Sequence, residues 1–348
     1  MDEKKKQVLS DVGKFLSKKI VEASPYIATD IAYKKFFFHH TYSGNLAKFD
    51  NDLFPSLKSE KVTFKSNDND LIGYFYSYPN VNKSKIIIFV HGYGNGHHRY
   101  LDIINYLASK GNYVFSYDAT SFDESSGEGI YGFPQGIIDL KQAINFVKNE
   151  KSYQDKDIIL MGHSWGAYSV GSILNLFPNI SKAIMLSGFN KSSDIVKQHG
   201  LEWAGERVES SIEYVDEYEE FRFGKYHSLS VIDGIRNSKS KIYIIHSSDD
   251  KTVPIEIGLN LYQKTFNNNE RIIYKRFSDR GHGTVYYSKK GKDYYEYISK
   301  EYRRYLKNKK NISLEDKKHL FNLIVNLNQW LDMLNYPLMD SINDFINN

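Results

Sequence analysis

The stretch Asp157-Ile158-Ile159-Leu160-Met161-Gly162-His163-Ser164-Trp165-Gly166-Ala167-Tyr168-Ser169-Val170-Gly171-Ser172-Ile173-Leu174 decides the fold. Asp157 to Met161 reads as a short strand buried on both faces, and Ala167 to Leu174 as the helix leaving it. A serine between two such elements must turn the chain sharply. Its backbone is strained and its hydroxyl stands clear of the sheet. Gly162 and Gly166, two residues before and two after, leave the room that a side chain would fill. A G-x-S-x-G pentapeptide alone is common by chance. Between a strand and a helix it marks Ser164 as a candidate nucleophile.

A serine hydroxyl attacks well only when a base takes its proton. Where this elbow is used, the partners follow in the order serine, acid, histidine. Downstream of Ser164 lie His199, His227, His246, His282 and His319. His282 sits in Asp279-Arg280-Gly281-His282-Gly283, directly after the strand-like run Arg271 to Phe277, and its flanking glycines let an imidazole approach closely. His319 falls in a helical tail. The acid belongs to Lys241-Ile242-Tyr243-Ile244-Ile245-His246-Ser247-Ser248-Asp249-Asp250, an apolar strand with carboxylates just past its C-terminal end, where α/β enzymes place chemistry. Two adjacent aspartates leave that assignment open, with either one free to be a turn former. A third strand, Lys85 to Val90, ends in His91-Gly92-Tyr93-Gly94-Asn95-Gly96. Such a turn can point the Tyr93 N–H into the site as one oxyanion donor, with the N–H of Trp165 as the second. Reading these glycines as a phosphate cradle fails, because neither a P-loop nor a G-x-G-x-x-G spacing is present.

Together these motifs resemble the α/β-hydrolase superfamily, in the bacterial branch of monoacylglycerol lipases, carboxylesterases and proline-iminopeptidase-like enzymes. The resemblance rests on His91-Gly92-Tyr93-Gly94, Gly162 to Gly166, His246 to Pro254 and Gly281-His282-Gly283, and it spans roughly residues 60 to 310. Relatives often carry H-G-x-x-D-x-x-V-P at the acid strand. That pattern, here His246-Ser247-Ser248-Asp249-Asp250-Lys251-Thr252-Val253-Pro254, selects Asp250. His246 is then a structural histidine. Asp118 to Gly127 stands where relatives often have D-x-R-G-x-G-x-S, with the arginine and glycine missing. The resemblance implies a mostly parallel eight-stranded sheet flanked by helices, with a helical cap at about 189–239 and its first strands partly antiparallel.

Around a core at 59–310 lie an N-terminal helical extension, 1–58, and a C-terminal helical tail, 311–348. In the extension Val8, Leu9, Val12, Phe15, Leu16 and Ile20 share a helical face, and Ser24-Pro25 starts a second helix through Ile27, Ile31 and Phe36. A packed hairpin is expected, with a lid or lipid-facing role as the sharper alternative. Lys61 to Ser66 and Leu71 to Tyr76 alternate about the turn Asn67-Asp68-Asn69-Asp70, a hairpin. The cap segment is rich in acids, Glu202, Glu206, Glu209, Glu213, Asp216, Glu217, Glu219 and Glu220, and in aromatics from Trp203 to Tyr226. Acids bordering the entrance would disfavour anionic substrates, and the aromatics would line a pocket. In the tail, Ser313-Leu314-Glu315-Asp316 opens a helix whose stripe runs Leu320, Phe321, Ile324, Leu327, Leu331, Leu334.

With 348 residues, 41% of them hydrophobic, the chain supports a proper core, and a formal charge of +4 says little about nucleic acid. The absence of cysteine excludes disulfides, thiolate metal sites and a cysteine nucleophile. No apolar stretch approaches a signal or spanning segment, so a cytoplasmic location is expected. The expectation is a serine hydrolase cleaving a carboxylic ester through an acyl-enzyme on Ser164, with His282 as base, Asp250 orienting it and no cofactor or metal. The alternatives are an iminopeptidase-type amide hydrolase and a non-catalytic binding protein on the same fold. Small acyl esters are the expected partners, nucleic acid is not, and lipid contact and homo-oligomerisation stay open.

Overall fold

A computed structural model of the chain describes residues 25–42, 49, 51–79, 81, 84–204, 214–307 and 313–348. The face expected over Val8 to Ile20, the cap at Ser24, the acids Glu206, Glu209 and Glu213, and Lys309-Lys310 lie outside these residues, as do the side chains of Glu202 and Trp203.

The apolar runs read from the sequence become the strands of one sheet: β1 (Lys58–Ser66), β2 (Asn69–Ser77), β3 (Lys85–Val90), β4 (Tyr113–Tyr117), β5 (Asp157–His163), β6 (Lys182–Leu186), β7 (Lys241–Ser247) and β8 (Ile272–Phe277). Their order is β1-β2-β4-β3-β5-β6-β7-β8. β2 runs antiparallel to both its neighbours, and every other pairing is parallel. The β1–β2 turn is tighter than expected. Asn69 and Asp70 already belong to β2, because Asn67 takes a positive φ of 50° that only a few side chains tolerate.

Both faces of the sheet are covered at its centre, so β3, β5 and β6 read as near-continuous apolar runs, whereas the edge strands β1 and β8 are partly exposed and polar. Ile86, Ile88, Ile158 and Leu160 point to one face and Ile87, Phe89, Ile159 and Met161 to the other, as period two requires. On the first face pack α1 (Pro25–Phe37), α3 (Gln135–Asn149), α4 (Trp165–Ile173), α7 (Val231–Asn237) and α8 (Leu259–Thr265). The second face carries α2 (Leu101–Ser109), α9 (Lys289–Leu306), α11 (Leu327–Leu331) and α12 (Tyr336–Asn347). Between β6 and β7 the chain also forms α5 (Ser192–Ala204) and α6 (Tyr214–Phe223). α7 follows them and is body rather than cap: Gly234 lies directly against Gly171 of α4.

Two helical faces differ from the sequence pattern. In α1 Ile31 is 60% exposed, whereas Tyr33 and Phe37 are buried. Tyr33 packs on Tyr218 of α6 and donates to Glu219 at 2.8 Å, so an aromatic seam outweighs the aliphatic stripe. In the tail, Ser313 and Asp316 form a capping box that starts α10 (Leu314–Ile324). Leu320 and Leu334 are buried but Leu327 is exposed. The helix ends at Ile324 and breaks the stripe. Trp330, Met339, Ile342 and Ile346 do the deeper packing, and Lys85 and Lys182 both donate to the Ile346 carbonyl at 2.8 Å, where cations suit a helix C-terminus.

Candidate active site

Adjacent parallel strands bring their C-terminal ends to one edge of the sheet. β3 delivers His91 to Gly94, β5 delivers Ser164, β7 delivers Asp249 and Asp250, and β8 delivers the loop of His282. The elbow has the strain its sequence requires, with Ser164 at φ 56° and ψ −117°. A Cβ on Gly162 would lie 2.5 Å from the Gly166 backbone, and one on Gly166 would overlap the Val90 carbonyl oxygen. Neither position accepts a side chain, because β5, α4 and β3 converge there.

Ser164 Oγ lies 2.8 Å from His282 Nε2, and His282 Nδ1 lies 2.8 Å from Asp250 Oδ2. The tautomer in which Nδ1–H donates to Asp250 leaves Nε2 to accept the serine proton. Asp250 Oδ1 also accepts the N–H groups of Thr252 at 2.9 Å and Val253 at 2.8 Å. Burial alone would raise this carboxyl, but hydrogen bonds from His246 and His282 outweigh it and hold Asp250 well below the usual carboxylate range. Asp249 instead accepts from Ser247 Oγ at 2.5 Å and from Gly281 N–H at 2.8 Å, so it ties the histidine loop to the end of β7. His246 shares its Nε2–H between the Val253 carbonyl at 3.0 Å and Asp250 Oδ2 at 3.2 Å, and its buried Nδ1 has no partner among the described residues. His199 and His227 bond the carbonyls of Thr252 and Gly224, away from Ser164.

Tyr93 and Trp165 stand on either side of the elbow. Among the described residues neither N–H donates to another protein group, so both are available to an oxyanion. The Tyr93 hydroxyl donates to the Phe36 carbonyl at 2.6 Å, and the Phe37 ring meets the Tyr93 ring edge-on at 5.8 Å. α1 thus braces the glycine turn after β3. At the two positions that are glycine in the D-x-R-G-x-G-x-S pattern, Ser121 and Asp123 adopt positive φ (67° and 38°), and Asp139 collects Ser66, Thr120 and Gln135 to hold the loop.

The sequence reading missed a relay beneath the site. Gly92 N–H donates to the Tyr100 hydroxyl at 3.1 Å, Tyr100 O–H lies 2.9 Å from His163 Nδ1, and His163 Nε2 lies 3.0 Å from the His282 carbonyl. A carbonyl only accepts, so His163 carries its proton on Nε2 and takes the tyrosine proton on Nδ1. Burial, reinforced by the nearby His282, pushes His163 down to about 3, so it stays neutral. One hydroxyl therefore links the oxyanion loop, the elbow and the histidine loop. No local pattern announces a tyrosine eight residues past a glycine turn as part of a site.

A cavity of about 110 Å³ opens over Ser164, lined by the glycine turn, Arg99, Tyr100, His163, His282, Gly283, Tyr286 and Tyr295. The described acids and aromatics of the segment expected as a cap, about 189–239, do not line it. Asp216 is engaged by Lys197 at 2.8 Å and Lys191 at 3.3 Å, and Glu219 is buried against Tyr33 and Ser192. The tyrosines of the wall come from the body instead, since α1 occupies the aromatic side of α6. Among the described residues no group of His, Asp or Glu is arranged to hold a metal ion, and no helix is long and apolar enough to cross a membrane.

The chain is similar in sequence and fold to several known proteins. The family model described as serine aminopeptidase, S33, matches residues 81–210, which include the oxyanion turn and the elbow. An uncharacterized protein of Acanthamoeba polyphaga mimivirus is 32% identical over 209 residues, 56% of this chain and 67% of that protein. Among solved structures, an esterase of Pyrococcus furiosus superposes with a TM-score of 0.54 at 19% identity, covering 77% of this chain and 95% of its own. An acylaminoacyl peptidase of Pyrococcus horikoshii gives 0.52 at 19% identity, covering 77% of this chain and 46% of its own. With its eight-stranded, mostly parallel sheet flanked by helices, the chain has the α/β-hydrolase fold, and over residues 81–210 it is similar to the serine aminopeptidase, S33, family.

Proposed function

We propose that the protein is a serine hydrolase that cleaves carboxylic esters through an acyl-enzyme on Ser164. The observation that carries this reading is the Ser164–His282–Asp250 relay, two hydrogen bonds of 2.8 Å on a strained elbow. Ser164 Oγ bonds the carbonyl carbon as its proton passes to His282 Nε2. The oxygen, now negative, is received by the N–H groups of Tyr93 and Trp165. Collapse breaks the ester C–O bond, and the leaving alkoxide takes the proton from His282. Water then attacks the acyl-enzyme, His282 accepts its proton and returns it to Ser164, and the carboxylic acid departs. Asp250 keeps the imidazole in its working tautomer and stabilises the imidazolium formed in each half.

An ester is favoured over an aminopeptidase substrate by the cavity wall. A free α-ammonium needs a carboxylate near the scissile bond, and among the described residues none lines the cavity, whereas a guanidinium does. Matched 4-nitrophenyl esters and 4-nitroanilides of the same acyl group test this. Ester turnover that exceeds anilide turnover and vanishes in Ser164→Ala supports the reading. Faster cleavage of an aminoacyl anilide would replace it with the peptidase reading, and no turnover of either class would point to a binding protein.

A further inference from the structure

Arg99 is the only Lys, Arg, Asp or Glu among the residues lining the Ser164 cavity, and it is 4% exposed. One terminal nitrogen donates to the Tyr287 hydroxyl at 2.7 Å and the other to the Gly283 carbonyl at 3.3 Å. A guanidinium has five N–H donors, so these two bonds leave part of its fork unused. The rings of Tyr295, Tyr287 and Tyr286 surround the cation at 4.8, 5.5 and 5.8 Å. Among the described residues no carboxylate reaches it in an ion pair. Asp102, the carboxylate whose charge bears on it, is buried outside the cavity wall and acts on Arg99 at a distance and through the Tyr287 hydroxyl rather than by direct contact.

A buried cation with no carboxylate in direct contact is costly, and ring faces together with the more distant charge of Asp102 offset only part of the lost hydration. An anion entering the cavity would supply the missing partner. Arg99 also holds the carbonyl of Gly283, the residue next to His282, so a group bound at its fork sits beside the reacting centre. A carboxylate fits the geometry, being planar, compact and able to take two parallel N–H bonds in a small cavity.

We propose that Arg99 forms an anion subsite in the Ser164 cavity and that the substrate is an ester bearing a carboxylate close to the scissile carbonyl. The choice of an ester rests on the reading of Ser164 given above; the subsite itself does not. Calorimetric titration of Ser164→Ala with monomethyl glutarate and with dimethyl glutarate separates the two. The monoanion is expected to bind at least about tenfold more tightly than the neutral diester, as a desolvated charge-assisted pair allows. Arg99→Gln on the same background is expected to abolish the difference, and Arg99→Lys, which keeps the charge but not the fork, to retain part of it. Equal binding of the two compounds overturns the subsite, and so does a preference that survives Arg99→Gln. If Arg99→Gln fails to fold, the comparison of the two compounds on Ser164→Ala still decides. Turnover by the wild type is scored separately. No hydrolysis of either compound, with the binding preference intact, sinks the ester reading alone; equal kcat/KM for both, without a binding preference, sinks the subsite alone.

Discussion

Tyr100→Phe removes one oxygen and should loosen three loops at once. The phenylalanine keeps the packing of the ring against Phe89 and Tyr286, so the loss is confined to polar contacts. Without the hydroxyl, the Gly92 N–H at 3.1 Å and the His163 Nδ1 at 2.9 Å lose their partner in a buried setting. Each such group costs about 1–3 kcal/mol, so a destabilisation of about 2–6 kcal/mol is expected. Gly92 precedes the proposed oxyanion donor Tyr93, and His163 holds the backbone of His282. A small displacement of either should lower kcat by about 10–100-fold with KM little changed, since misplaced groups fail mainly in the transition state. Urea unfolding with an unchanged m-value, followed by steady-state ester kinetics, measures both effects. A variant within about 0.5 kcal/mol of wild type and with full kcat would refute the relay.

Further outcomes are expected from the same geometry. Gly166→Ala should not give a stable native protein, because its Cβ meets the Val90 carbonyl; a variant that melts like wild type would contradict the elbow packing. Asp250→Asn should lower kcat by about 10⁴-fold through the wrong His282 tautomer, while Asp249→Asn loses far less; equal losses in the two would undo the assignment. His163 is neutral in the folded chain down to about pH 3 but protonates near 6.5 when unfolded. The unfolded state therefore binds the extra proton, and stability falls as pH drops from 6.5 towards 3. The contribution lost is on the order of 5 kcal/mol. Denaturant titrations across this range should show the decline start below pH 6.5 and flatten in His163→Gln; an identical slope in that variant would reject it.

The parallel strands were legible because each is a short apolar run ended by glycine or a polar turn, and burial on both faces leaves no other reading for Ile86 to Val90 or Ile158 to Met161. The candidates Ser164 and His282 could be picked out because glycines flank each of them just past a strand end. Asp250 over Asp249 needed the wider resemblance, since either carboxylate could end β7. The face of α1 was misread because a helix packed between the body and α6 has two apolar sides, and only the tertiary partners reveal which is buried. Tyr100, His163 and Arg99 were invisible for a related reason. Their roles arise from contacts across 63 to 188 positions of chain, and no local spacing encodes such contacts.

Intact-mass labelling with a fluorophosphonate tests the central claim most directly, because the reagent reacts only with an activated serine. One adduct on the wild type that is absent from folded Ser164→Ala is the expected result. A folded wild type that takes no adduct, or a variant that still takes one, would contradict the assignment of Ser164 as the nucleophile.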